Sequence, residues 1–342
     1  MDAESPMRAP RHWLAQPRFW LGVLISALAV YLTVRDVQWS QVRLALARAN
    51  LTLLFLALVT LLLTNWAKAI RWRLLFYPMQ DRLSTDKCVW VLYIGQLANS
   101  VLPVRLGELA RAYLIGESEG LSKVFAFATT VVEKAMDSVM LLVLIAALSP
   151  LIPLPPWLRR SSLIVSATLA VLLVVLIIAA TQRDRIVAII DGLVNRHPVI
   201  APVRFVQRLV EASAELKALQ DVRVQAQLWS WSVLIWLLAA ATNELVLWAV
   251  HLQGSLLVSP LLLVVLMTGA IMPTSPLQIG VFHYLCIITL GVFGIGQNAA
   301  LTYALLLHAV VYLPIVVGGV LGLWIENYDL GSLTRASRRK DA

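Results

Sequence analysis

The chain has 342 residues, 60% of them hydrophobic and only 14% charged, with a mean hydropathy of +0.80. Soluble domains carry about a quarter charged residues, so a soluble globular fold is excluded and an all-α polytopic membrane protein is expected. The net charge of +9 does not point to nucleic acid, because the basic residues lie in short loops mixed with Asp and Glu, where they set orientation against an anionic membrane surface.

In chain order, Arg8, Arg11 and Arg18 precede the first apolar run, but no small-residue cleavage site follows. Residues 1–18 are therefore expected as a cytoplasmic tail leading into an uncleaved first span. Apolar runs of spanning length, about 17–25 residues, occur at 19–34, 51–70, 124–149, 161–181, 226–250 and 297–325. Trp20, Trp39, Trp66, Trp72, Trp157, Trp229, Trp248 and Trp324 stand near their ends and read as an interfacial aromatic belt. Segments 40–49 and 203–221 are amphipathic; the second alternates Val203, Val206 and Val210 with Arg204, Arg208 and Glu211 and reads as an interfacial strut. Residues 326–342 form a basic tail.

Regions 88–116 and 256–296 are each two shorter apolar pieces joined at a break. The first break runs Asn99, Ser100, Val101, Leu102, Pro103, Val104, Arg105, Leu106, Gly107, Glu108; the second runs from Met272 through Pro273, Thr274, Ser275, Pro276, Leu277, Gln278 and Ile279 to Gly280. Both contain Pro-x-x-x-Gly, and Pro103 and Pro276, like Gly107 and Gly280, stand 173 residues apart. Interrupted backbone survives in a bilayer only inside protein or beside water, and matching interruptions in two halves mark a transporter's binding site. Counting both, about eight spanning segments result, two of them re-entrant-type hairpins. The 256–296 pair either spans fully or enters only half-way.

Lys68, Arg71, Arg73, Arg82 and Lys87 crowd the loop expected at 68–87, and Arg183 to Arg223 supply seven more in 182–225, whereas 251–260 and 293–298 carry no charge. Basic loops belong in the cytoplasm, so both termini are expected there. The halves 19–149 and 161–325 then run in opposite senses within one domain at 19–325. Shifting 51–70 by 173 lands on 224–243, and shifting 124–148 lands on 297–321, the pattern of an inverted repeat.

Arg105, Glu108 and Arg111 recur every third residue and share one side of a helix. A charge at mid-membrane costs about 2.5–3.5 kcal/mol on insertion scales, so the stripe is either a cationic site for an anionic headgroup, tuned by Glu108, or a self-neutralised structural stripe. Glu133 and Asp137, one turn apart beside Lys134, are either a proton-linked pathway pair or partners of Lys134 and the 105–111 stripe that hold two helices together. Asn243 and Glu244 are placed on the outer part of a path. Gln278, Thr274 and His283 sit at the second break, with His308 in the last span. A lone histidine in such a span is more often a packing residue than a proton carrier.

Cys88 and Cys286 form neither a disulfide framework nor a metal-ligand spacing, and packing is their expected role. H-E-x-x-H, G-x-x-x-x-G-K-[ST], C-x-x-C and G-x-S-x-G are all missing from the sequence. No catalytic residue, metal or cofactor is expected.

The run from Asn99 through Pro103, Arg105, Gly107, Glu108 and Arg111 to Leu114 resembles the signature of the flippase-like family, also called the lysylphosphatidylglycerol synthase transmembrane region. Arg71, Trp72 and Arg73 look like that family's basic end of the second span, and Val132, Glu133, Lys134 and Asp137 are similar to its Glu-(Lys/Arg)-x-x-Asp motif. Pro276 to Phe282 resembles its second Pro-x-x-x-Gly segment, where the family often continues with Glu and this chain has His283. The likeness covers roughly 20–325. It implies an integral membrane protein linked to moving lipids between leaflets. In the best-understood relatives a soluble aminoacyl-transferase domain follows. Here the sequence stops shortly after the last span, so the chain is expected to be a stand-alone member that does not synthesise aminoacylated lipid.

Three functions follow as expectations. The first is a flippase or scramblase for an anionic phospholipid or lipid-linked sugar in the cytoplasmic membrane. There Arg105 and Arg111 attract the phosphate and Glu133 and Asp137 gate or take protons. The second is a membrane scaffold for a lipid-modifying or cell-envelope enzyme, with a homo-oligomer or that enzyme as partner. The third is an intramembrane transferase using Glu133 and Asp137 as acid and base.

Overall fold

The computed structural model describes residues 17–102, 106–152, 216–252, 255–270 and 275–326, with isolated positions between 160 and 174. Within them the chain is entirely helical: α1 (Pro17–Val34), α2 (Trp39–Ala47), α3 (Leu51–Leu74), α4 (Thr85–Val101), α5 (Gly107–Glu119), α6 (Lys123–Leu148), α7 (Val222–Ala249), α8 (Val258–Gly269), α9 (Val281–Gly291) and α10 (Gln297–Ile325). The expected span at 161–181 and most of the amphipathic segment at 203–221 lie outside the described residues.

Local chemistry sets the helix starts. Asn50 accepts the Thr52 and Leu53 N–H groups at 3.0 and 3.2 Å before α3, Ser84 caps α4 at 3.2 Å, and Ser122 caps α6. Asp221 takes the Arg223 and Val224 N–H groups before α7 at 2.8 and 3.2 Å. Among the described residues three helices, α3, α7 and α10, are long and apolar enough to cross a membrane, with 24, 28 and 29 residues. Leucines, valines and aromatics cover their outward faces, as at Leu51, Phe55, Leu237, Leu313 and Trp324, where lipid rather than water is the apt neighbour. α6 has 26 residues but carries Glu133, Lys134 and Asp137.

The first basic loop is shorter than expected. α3 continues to Leu74, so Lys68, Arg71 and Arg73 are helical and Arg71 is wholly buried. Trp72 likewise leaves the aromatic belt: it is fully buried, edge-on to Phe76, which is edge-on to Phe125. Trp39, Trp66, Trp248 and Trp324 remain exposed.

α3 and α7 form an antiparallel central pair. Asn50 N–H donates to Ala249 O at 2.8 Å at one end, Thr60 and Thr242 hydroxyls meet at 2.9 Å part-way along, and Arg71 reaches Ser232 at 2.9 Å near the other end. α4 packs on α5, α3 and α10, and α5 on α6; α8 packs on α9, α7 and α6, and α9 on α10 and α1. Gly318, Gly319 and Gly322 give α10 a side so smooth that Tyr93, Leu97 and Ile94 of α4 lie directly on it.

Candidate functional site

α4 and α5 approach so closely at the first break that side chains are excluded: a Cβ on Gly107 would collide with the Gly95 carbonyl, and one on Gly95 with the stem of Arg111. Asn99 ties the two ends, accepting the Gly107 N–H at 2.7 Å and donating to Glu108 Oε1 at 3.0 Å. It thereby satisfies one of the donors that the start of a helix leaves open. Glu108 is also 3.5 Å from Lys134 Nζ.

One turn further, Arg111 donates to Glu133 Oε2 at 2.7 Å, and its guanidinium carbon lies 4.2 Å from the centre of the Trp72 ring. The Trp72 N–H donates to Thr129 Oγ1 at 3.0 Å, which holds the ring in place. Arg71 completes the network. Its Nη1 is 2.8 Å from Asp137 Oδ1 and donates to Ser232 Oγ at 2.9 Å, and its Nη2 is 3.7 Å from Glu133 Oε1. The side chains of Arg71, Arg111 and Glu133 are 0, 4 and 2% exposed, so these charges persist in an apolar interior only through one another.

The cluster has donors left over. Arg71 Nε and Nη2 and Arg111 Nε are buried without a hydrogen-bond acceptor. Lys68 adds a fourth cation in electrostatic reach of Arg71, Glu133, Lys134 and Asp137. Arg71 and Arg111 balance Glu133 and Asp137 in charge, but their guanidinium groups keep N–H bonds that these carboxylates do not take up. Planar guanidinium groups with free N–H bonds suit the oxygens of a phosphate or carboxylate.

Of the 105–111 stripe, Glu108 turns to Asn99 and Lys134 while Arg111 turns to Glu133. Pro103 and Arg105 lie outside the described residues. Residues not singled out from sequence also belong here. On α3, Thr64, Lys68 and Arg71 share a face by their spacing of four and three, a helical signal that the loop expectation hid. Asn65 donates to the Tyr93 hydroxyl at 3.2 Å and accepts from Gln96 at 3.1 Å, leaving Gln96 Oε1 buried and unpartnered.

At the second break, Pro276 opens a short turn in which Leu277 and Gln278 have φ of 57° and 55°, followed by Gly280 at 90°. Gly280 faces the Ser26 carbonyl of α1, where a Cβ would collide. The Ser275 N–H donates to Ser26 Oγ at 2.8 Å. His308 Nε2, 3.0 Å from Leu277 O, donates to it. His283 stacks on His308 at 4.8 Å, and His308 on Tyr312 at 4.3 Å. Asn243 and Glu244 lie apart from the first cluster, toward the opposite end of α7 from Ser232, and Glu244 accepts from Ser259. Cys88 and Cys286 are buried and free, in different helices. Among the described residues, no group of His, Cys, Asp and Glu is able to hold a metal ion.

The model of the family described as Lysylphosphatidylglycerol synthase TM region matches residues 19–319. A comparison with curated proteins finds no match.

Proposed function

We propose, from the premise that this chain belongs to the Lysylphosphatidylglycerol synthase TM region family, that it moves an anionic lipid between the leaflets of the cytoplasmic membrane. The observation that carries the reading is the buried cluster of Arg71, Arg111, Glu133 and Asp137, with its unused guanidinium donors, directly beside the first break. A structural ion network needs no unused donors; a site for a phosphate-bearing headgroup does.

The helix lengths favour re-entrant hairpins. α4 and α5 have 17 and 13 residues, and α8 and α9 have 12 and 11. At about 1.5 Å per residue none reaches the roughly 30 Å of a hydrocarbon core. Exchanging α3 with α7, α4–α5 with α8–α9 and α6 with α10 maps each packed pair onto another packed pair, and this supports the inverted repeat. Lys87 pairs with Glu119 at 2.5 Å, joining the start of α4 to the end of α5 on one side of the membrane. The basic loops and tails make that side cytoplasmic, with both termini there.

Purified chain in vesicles holding NBD-labelled phosphatidylglycerol, with dithionite added outside, tests the reading. Dye in the inner leaflet becomes reducible with the wild-type chain, and more slowly with Arg105→Ala or Glu133→Ala. Equal rates in wild type and variants overturn the assigned roles, and a rate no faster than in protein-free vesicles overturns translocation. One observation favours a second reading, a scaffold for an envelope enzyme: the same ion pairs stitch α3, α5, α6 and α7 together. A stoichiometric co-purifying enzyme with no lipid movement would decide for it.

A further inference from the structure

We propose, resting on the translocation reading, that Glu244 is the proton-binding site that couples lipid movement to a proton gradient. The first observation is its isolation. Glu108, Glu133 and Asp137 each face a cation, but Glu244 has no ion pair among the described residues and its hydrogen-bond partner is the Ser259 hydroxyl. An unpaired ionised carboxylate in an apolar span is costly, and taking up a proton removes that cost.

The second observation is what surrounds it. The Tyr303 hydroxyl, on a residue with no exposed surface, and the Asn243 amide nitrogen are both buried without an acceptor. Tyr303 is in electrostatic reach of Glu244. Of the two, Tyr303 is the donor placed to meet the ionised carboxylate once its proton leaves. Among the described residues Glu244 belongs to no group of His, Cys, Asp and Glu able to hold a metal ion, and a proton needs one carboxylate alone.

The ionisable groups on the elements packed against this end of α7 are these. α10 contributes Tyr303 and α9 contributes Cys286. The near half of α3, 51–64, and all of α8 carry no ionisable residue. His251, just past the end of α7, is bound to Arg48 O at 3.2 Å, and His283 and His308 are stacked on each other. The third observation is position: a shift of 173 residues carries Arg71 onto Glu244. One end of the central pair thus holds a fixed cation and the other a group whose charge changes. In the step itself the carboxylic O–H bond breaks, its electron pair stays on Glu244 and the proton passes to water.

The infrared band of a protonated carboxyl, followed through a pH titration of the full chain in nanodiscs, tests the site without lipid movement. The band is expected in wild type, absent in Glu244→Gln, and shifted in its titration by Ser259→Ala. A band unchanged in Glu244→Gln, or one removed by Na+ at constant pH, overturns the proposal. In vesicles with NBD-labelled phosphatidylglycerol, a gradient of about one pH unit changes the wild-type rate by up to about tenfold. The ratio of rates with and without the gradient falls to one in Glu244→Gln and is retained in Glu244→Asp. A gradient-insensitive wild type overturns the coupling. Wild type that moves no probe at all overturns the translocation reading, and the infrared result then decides the proton site alone.

Discussion

Asn99 bridges the first break to Gly107, accepting its N–H at 2.7 Å while the same side chain donates to Glu108 at 3.0 Å. One amide in the last turn of α4 therefore holds the start of α5 across the break.

Asn99→Leu removes this bridge while keeping the branching of the side chain. The loss of two hydrogen bonds, one of them the cap on Gly107, lowers stability by about 1–2 kcal/mol. Thermal unfolding in detergent, followed by tryptophan fluorescence, should show the lower midpoint, with Asn99→Asp restoring the Gly107 bond but not the bond to Glu108.

Glu133 accepts charge from both Arg111 and Arg71, so Glu133→Gln leaves two buried guanidinium groups under-paired. Breaking a buried pair costs about 3–5 kcal/mol, and replacing both partners by apolar groups costs far less. Arg111→Met with Glu133→Met should therefore be more stable than the sum of the single variants, a coupling that a double-mutant cycle measures directly.

Asp221 lies before α7, outside the apolar span, and the Val224 and Arg223 N–H groups that it accepts hold its carboxyl below the usual aspartate range. A carboxyl depressed in the folded state adds stability that is complete above its unfolded pKa, about 3.9, and is lost as pH falls through the folded value. Wild type should lose stability in that acidic window, and Asp221→Asn, which keeps an acceptor for the cap, should lose less. Unfolding midpoints measured across pH check this.

His308→Phe keeps a ring between His283 and Tyr312 but deletes the bond to Leu277 O. The positive-φ turn at 277–280 then loses its tie to α10, and amide exchange in the peptide covering 275–280 should speed up by about tenfold, the equivalent of one net hydrogen bond. Exchange in α3 should not change.

What sequence alone could reveal follows from how local each signal is. Proline and glycine inside apolar runs announce both breaks because lipid forbids such backbone elsewhere. The run at 297–325 coincides with α10, and 51–70, 124–149 and 226–250 fall within four residues of α3, α6 and α7. Arg71 was hidden because charge counting assigns every basic residue near a span end to a loop, whereas its burial depends on Asp137, Ser232 and Glu133, which are 62 to 161 residues away. Trp72 was hidden for the same reason: its use as a platform for Arg111 is a tertiary fact. The reading in which Glu133 pairs with the 105–111 stripe and holds two helices together matches the Arg111–Glu133 bond, whereas the pairing of Lys134 with Glu108 depends on which faces of α5 and α6 meet.

The bare ridge of Gly318, Gly319 and Gly322 beneath Tyr93, Leu97 and Ile94 has a mechanical consequence. With no side chains interlocking across it, α4 meets little resistance to gliding lengthwise on α10, while its bulky residues oppose rolling. On the proposed reading, displacement of the first hairpin is thereby confined to a rail running along α10, the axis along which a headgroup would pass.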